Sequence, residues 1–290
     1  MRYFIQLAEY KTYARAARES YISPQGLWRS VHALEKELDA PLVLKTDRGL
    51  VFTEAGKRFL AFAENVLREY DAFNRDLDVL TEAGKNQIQA AFVIGSFGAL
   101  DAGLIERFQK EYPQIRLDYR QFPDYQVDEK LIQKEYRLGL TRYPFREEEL
   151  TTTLLLEVPL YIWVSRENPL SRKPSLTILD LKDQPLISVG PEYKTPHRMD
   201  EECRNAGFEP LYLITTEERP ASFPYVYKNQ GLLPALEYEN ISLRSDLAKA
   251  VPLAGFFDYF GISHRKDCIL TEAEKLFLRH LKSSSRFRPR

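Results

Sequence analysis

The stretch from Thr12 to Leu38 constrains this chain most. Thr12-Tyr13-Ala14-Arg15-Ala16-Ala17 reads as a capped helix with a small-residue face. Ser23-Pro24-Gln25-Gly26-Leu27-Trp28-Arg29 reads as the opening of a second helix, with Ser at the N-cap and Pro at the first helical position. Leu27, Val31, Leu34 and Leu38 recur at helical spacing and belong inside. Ahead of both, Phe4, Ile5, Leu7 and Ala8 give the apolar face of a first helix. Small Ala16 and Ala17 let another helix cross closely, so the pattern predicts helix, tight turn, helix.

If the second of these helices enters a major groove with its N-terminal half, Ser23, Pro24, Gln25, Trp28 and Arg29 are the candidate DNA contacts. Arginine pairs with guanine or phosphate and glutamine pairs with adenine. The bland alternative for Arg29 is a surface ion pair. Trp28 either stacks on the sugar-phosphate or packs on the wing. His32 is read as a surface or phosphate-side residue. Pro41-Leu42-Val43-Leu44-Lys45 and Gly49-Leu50-Val51-Phe52 flank turn chemistry and predict a small hairpin, or wing, with Arg48 at its tip as a minor-groove candidate. Thr53 then caps a further helix.

Ala16-Ala17, Ile22-Ser23, Leu27, Arg29, Leu34-Glu35-Lys36-Glu37-Leu38 and Thr53-Glu54-Ala55-Gly56 followed by Lys57-Arg58-Phe59-Leu60 together resemble the winged helix-turn-helix of LysR-type transcriptional regulators. Trp28 stands where that family commonly has a DNA-touching Ser, Ser20 where it has Leu, and Asp39 where it has Gly. The chain also starts a few residues late against the family's usual first helix.

From Thr53 to about Ala83 the only glycine is Gly56 and there is no proline. Leu60, Ala63, Leu67, Tyr70, Leu77 and Leu80 follow coiled-coil-like steps, which predicts a dimerisation helix; a helix folded onto its own core is the alternative. After Gln87 the grammar changes. Apolar strands such as Ile88–Ile94 and Leu138–Leu140 alternate with helices around Phe108, Val127 and 195–205, and Phe256–Ser263 precedes a closing helix. That alternation predicts a mainly parallel sheet with helices on both faces.

Ile94-Gly95-Ser96, Phe108 with Tyr112-Pro113, and Gly231-Leu232-Leu233-Pro234 resemble, more loosely, the effector domain of the same family: two α/β lobes like those of periplasmic binding proteins. The resemblance implies two crossings between lobes, placed near Val158-Pro159-Leu160 and Val251-Pro252-Leu253. The expected fold is α/β, with an α-rich winged helix-turn-helix (1–58), a linker helix (59–86) and a two-lobed effector domain (87–282). Lobe I takes 87–158 and 253–282, lobe II takes 159–252, and 283–290 form a basic, disordered tail. Ligands of such folds bind at the carboxyl ends of strands. Those ends nominate Ser96, Phe97, Thr141, Arg142 and Ser188, with Thr195 and His197 at a helix start. Hydroxyls and free N–H groups there favour a small, carboxylate-bearing effector.

Charge fits a locally basic reader rather than a general nucleic-acid coat: 41 Lys+Arg stand against 42 Asp+Glu. Two cysteines, Cys203 and Cys268, cannot build a disulfide framework and read as inert thiols. No phosphate-cradling glycine loop, zinc spacing or nucleophile elbow is present, and the four histidines are scattered, so neither a metal nor a cofactor is expected. No apolar run reaches the length of a membrane span. These features point to a cytoplasmic, homo-oligomeric regulator that binds duplex DNA and a small effector, dimeric through the linker helix or tetrameric as full-length members of the family usually are. A ligand-binding protein or an enzyme on an α/β scaffold with a degenerate reader is the alternative.

Overall fold

The structure is a computed structural model that describes the chain outside residues 47–48, 82–83, 101–102, 237–243 and 285–290, and outside the side chains of 75, 76, 78–80, 84, 97 and 284. The chain divides into two compact units, Met1–Leu80 and Thr81–Arg290.

The first unit is built by local signals. Helix α1 (Arg2–Tyr10) ends at Lys11 in a left-handed conformation, and α2 (Tyr13–Glu19) starts at Thr12, whose hydroxyl accepts from the Arg15 amide. Helix α3 (Pro24–Leu38) opens with Ser23 Oγ accepting from the Gly26 amide at 3.0 Å and closes at Asp39, φ 48°. An Asp can occupy that left-handed C-cap because its short polar side chain tolerates the conformation. Strands β1 (Val43–Thr46) and β2 (Gly49–Phe52) pair antiparallel as the wing. Helix α4 (Glu54–Leu80) follows, with the Thr53 hydroxyl accepting from the Gly56 amide at 2.9 Å. Phe4, Leu7, Ala16, Ala17, Leu27, Val31 and Leu42 form the core, with Phe4 set edge-on to both Phe52 and Phe59. Gly56 is required by close approach: a Cβ there would lie 2.1 Å from the Leu42 carbonyl oxygen.

On α4 the sequence stripe splits. Ala63 is buried and Leu60 packs on the core of the first unit. The exposed large apolar side chains are Phe62, Tyr70, Phe73 and Leu77, spaced along one face at helical intervals. Leu80, also in the expected stripe, has a side chain outside the described residues.

The second unit holds a six-stranded sheet ordered β4-β3-β5-β10-β6-β9. Its strands are β3 (Gln87–Val93), β4 (Arg116–Phe122), β5 (Leu138–Arg142), β6 (Leu150–Ser165), β9 (Leu233–Leu236) and β10 (Ala248–Arg265). A smaller parallel pair, β7 (Pro185–Ser188) and β8 (Leu211–Thr215), adjoins β9 through a bridge between Leu186 and Leu232. The helices are α5 (Ser96–Ala99), α6 (Leu104–Glu111), α7 (Asp124–Ile132), α8 (Lys194–Asn205), α9 (Arg219–Tyr227) and α10 (Glu272–Ser284). Phe108 and Phe277 meet edge-on at 4.9 Å in a core that runs through both parts of the sheet.

The mainly parallel expectation holds for β3, β4 and β5, and for β7 with β8. The spine is antiparallel: β6 and β10 pair from Leu150–Arg265 to Ser165–Ala248. The expected crossing segments are therefore not separate connectors. Val158-Pro159-Leu160 and Val251-Pro252-Leu253 lie within these two long strands, where the register shifts between Pro252 and Phe257. Gly255, at φ 79°, supplies the backbone conformation that the irregularity needs.

Candidate functional site

Two surfaces carry the candidate residues. On α3, Ser23, Pro24, Gln25, Trp28 and Arg29 are all exposed along the N-terminal half of the helix, while Leu27 and Val31 point into the core. Trp28 is stacked on His32, ring centroids 4.9 Å apart, and His32 lies 3.5 Å from Glu35. The other carboxylate oxygen of Glu35 accepts from the amides of Leu42 and Val43 at 2.8 and 3.0 Å. This side chain pins the start of the wing to α3, a role that the sequence did not disclose. The indole thus rests on its own helix and still presents half of its surface outward. Arg48 lies outside the described residues.

In the second unit, Arg142, Ser188 and Thr195 are brought together around a cavity of about 20 Å³ whose walls are otherwise mainly apolar, Leu160, Met199 and Pro234 among them. A larger open cleft of about 510 Å³ shares Arg142, Val189 and Arg219 with it, and is lined further by Ile94, Gly95, Gly98, Tyr193, Glu217 and Glu218. Ser96 lies between Gly95 and Gly98, wholly buried, its hydroxyl without a hydrogen-bond partner among the described residues. The Phe97 side chain lies outside the described residues.

Three nominated residues, Ser96, Thr141 and His197, line neither cavity. Thr141 is buried in a hydroxyl cluster, 3.2 Å from the Gly261 carbonyl oxygen and 2.6 Å from Ser263 Oγ. Successive side chains of a strand face opposite ways, so Thr141 and its neighbour Arg142 cannot share one side of β5. His197 is exposed, with Nε2 2.8 Å from the Pro191 carbonyl oxygen and the ring against Tyr125. Two residues beyond Thr195, it falls on the other side of α8.

Behind the cavity lies a buried charge cluster that sequence reasoning missed. Arg142 Nη1 donates to Thr195 Oγ1 at 3.2 Å, and its guanidinium lies 3.6 Å from Asp124 and 3.8 Å from Asp258. Thr195 in turn donates to Asp258 at 3.3 Å, and Arg198 pairs with the same carboxylate. Lys194, wholly buried, is 2.6 Å from Asp128 and donates to the carbonyl oxygens of Arg142 and Pro144, each at 2.7 Å. Burial pushes the Asp128 carboxyl up from its ordinary value, against the pull of Lys194. The available signal was Asp258 itself, a charge inside the apolar run Phe256–Phe260. At the cleft, Tyr193 has its hydroxyl pushed up by burial, then by the Glu217 and Asp124 carboxylates, with Arg219 pulling it down. Tyr212 lines the smaller cavity and donates to Asp200 at 2.6 Å; burial, then this bond, raises its hydroxyl well above the ordinary range.

Among the described residues no group of three or more His, Cys, Asp or Glu side chains could hold a metal ion, and no helix is long and apolar enough to cross a membrane.

Comparison with known proteins gives the family and the fold. The family model of the bacterial regulatory helix-turn-helix protein, lysR family, matches residues 1–57, and that of the LysR substrate binding domain matches residues 93–286. The chain is 26% identical over 196 residues to YnfL of Escherichia coli K12, an HTH-type transcriptional regulator called uncharacterized. That match spans 67% of this chain and 66%, just under two thirds, of the relative. It is 26% identical over 216 residues to AlsR of Bacillus subtilis 168, an HTH-type transcriptional regulator, spanning 72% and 70% of the two chains. The structure of full-length CbnR complexed with its target DNA aligns over 98% of both chains with a TM-score of 0.70 at 18% identity. The structure of a full-length OxyR point variant from Pseudomonas aeruginosa aligns over 98% of this chain and 97% of its own, with a TM-score of 0.61 at 19% identity.

Proposed function

Because the chain belongs to the LysR family of transcriptional regulators, with a helix-turn-helix DNA-binding domain and an effector domain, we propose that α3 reads duplex DNA through Gln25, Trp28 and Arg29, with Ser23 and Pro24 setting the helix end against the phosphates. The observation that carries this is the exposed N-terminal half of α3. Arg29, which has no ion pair among the described residues, supplies the charge, and Trp28 offers an apolar face to a thymine methyl or a sugar. Residues 1–58 form the reader, 59–86 the linker, helical as far as Leu80, and 87–282 the effector domain. The stripe Phe62, Tyr70, Phe73 and Leu77 pairs two copies, which places two reading helices on a two-fold operator.

The effector is a small carboxylate-bearing molecule that binds the cleft beside Arg142, whose neighbouring small cavity holds Ser188 and Thr195, with Ser96 buried between the lining Gly95 and Gly98. It favours one arrangement of the subunits over another and so changes DNA bending or promoter contact. Footprinting the purified protein on the DNA flanking its own gene, at two salt concentrations, tests the reader. The expected result is a roughly two-fold symmetric protected site that weakens steeply with salt. No protection at low salt, with or without candidate effectors, would overturn it.

A further inference from the structure

The cations deep in the second unit already have internal carboxylates. Arg142 lies beside Asp124 and Asp258, Lys194 beside Asp128, and Arg198 on Asp258. A simple anion entering the cleft would compete with carboxylates that are already in place. The acidic groups at the mouth are different. Glu217 and Glu218 line the open cleft, and neither carboxylate has an ion pair or a side-chain hydrogen bond among the described residues. One carboxylate oxygen of the wholly buried Asp124 also lacks a donor. Burial first, then the Glu217 and Asp124 carboxylates, push the Tyr193 hydroxyl up.

Resting on the reading that this cleft is the effector site, we infer that the effector is a zwitterionic α-amino acid with a short apolar side chain. Its carboxylate meets Arg219, which borders both cavities, and its ammonium faces Glu217 and Glu218. Its side chain enters the smaller cavity between Leu160 and Met199. At about 20 Å³ that cavity admits little more than a water-sized group as it stands, which limits the side chain to about a methyl group until the walls move. Unbranched Met199 can shift to widen it.

Calorimetry on the full chain with alanine, valine and leucine, and with the two half-analogues of valine, tests this. 3-Methylbutanoate keeps the carboxylate and side chain, and isobutylamine keeps the ammonium and side chain. The expected result is valine binding at least about tenfold more tightly than either half-analogue, since each loses a charge-assisted contact. The E217Q/E218Q double variant should remove that preference by weakening amino-acid binding and leaving 3-methylbutanoate unchanged. Both glutamates are exposed, so the fold is kept. If 3-methylbutanoate binds as tightly as valine, or no apolar amino acid binds at millimolar concentration, the zwitterion is overturned. Ile94→Trp separates this failure from failure of the site. It enlarges an exposed side chain on the cleft wall and should abolish binding of any true cleft ligand. A ligand that still binds that variant sits elsewhere, and the cleft reading falls instead.

Discussion

The reader and the effector domain are stabilised by contacts of different range. In the first unit the deciding bonds are local: Thr12 to the Arg15 amide and Ser23 to the Gly26 amide, each three residues on. In the second unit they are remote. Thr141 meets Ser263 across 122 residues, and Arg137 meets Glu274 across 137. A helix-turn-helix can therefore be damaged piecemeal, whereas a single removal at a long-range junction should loosen a whole unit.

The largest expected effect is at such a junction. Asp258→Ala removes the carboxylate shared by Thr195, Arg198 and Arg142, and leaves cations in a buried site with less compensation. Breaking a buried pair in this way costs about 3–5 kcal/mol. The two tryptophans allow the contrast to be read, since Trp163 is buried in the second unit and Trp28 is half exposed in the first. Denaturant unfolding followed by the Trp163 emission shift should move to much lower denaturant, with DNA affinity of the still-folded protein retained. Equal loss of the reader's own unfolding transition would show that the two units are not independent.

What could be read in advance follows the same division. The α2–α3 turn was legible because Thr12, Ser23 and Pro24 are cap residues whose meaning depends on their immediate neighbours. Strands β3 and β5 were legible as apolar runs. The β6–β10 spine was not: Thr151, Thr152 and Thr153 interrupt the apolar pattern of β6, and its pairing with β10 links positions about a hundred apart. At the smaller cavity, Arg142, Ser188 and Thr195 come from strand and helix ends, which sequence can locate. Asp124, Asp128, Lys194 and Asp258 come together only through the tertiary fold. Thr141 shows the limit of reasoning from strand ends, since the end of a strand is local but the side that a residue faces depends on register.

Gly56 tests whether the reader is as local as it looks. The motif Thr53-Glu54-Ala55-Gly56 was recognisable without a reason for its glycine, and the reason is tertiary: α4 passes against the Leu42 backbone. Gly56→Ala forces a methyl onto a carbonyl that Thr53 also engages, through its amide at 3.0 Å and its hydroxyl at 3.3 Å, so neither side can retreat cheaply. A loss of about 1–3 kcal/mol in the first unit is expected. It should be visible as a lower melting transition in circular dichroism with the Trp163 signal unchanged. A neutral outcome would mean that the wing junction yields more easily than close packing implies.

Arg29→Ala should separate function from folding in that unit. The side chain is exposed and holds nothing in the core, so the melting transition should stay within experimental error. DNA affinity should fall by about 1–3 kcal/mol if the guanidinium reads a base edge. A uniform loss across operator variants, with a shallower salt slope, would assign it to a phosphate instead.

The smallest effect is expected to be a gain. The Ser20 hydroxyl is buried at the end of α2 with no hydrogen-bond partner among the described residues. An unmatched buried hydroxyl costs on the order of 1 kcal/mol or more, while the backbone amide of Ser20 is already bonded to α2 carbonyls and does not need the side chain. Ser20→Ala should therefore raise the melting transition of the first unit slightly and leave DNA binding intact. The opposite sign would mean that the hydroxyl serves a bonded role in solution, and that this turn depends on more than the cap grammar that makes it legible.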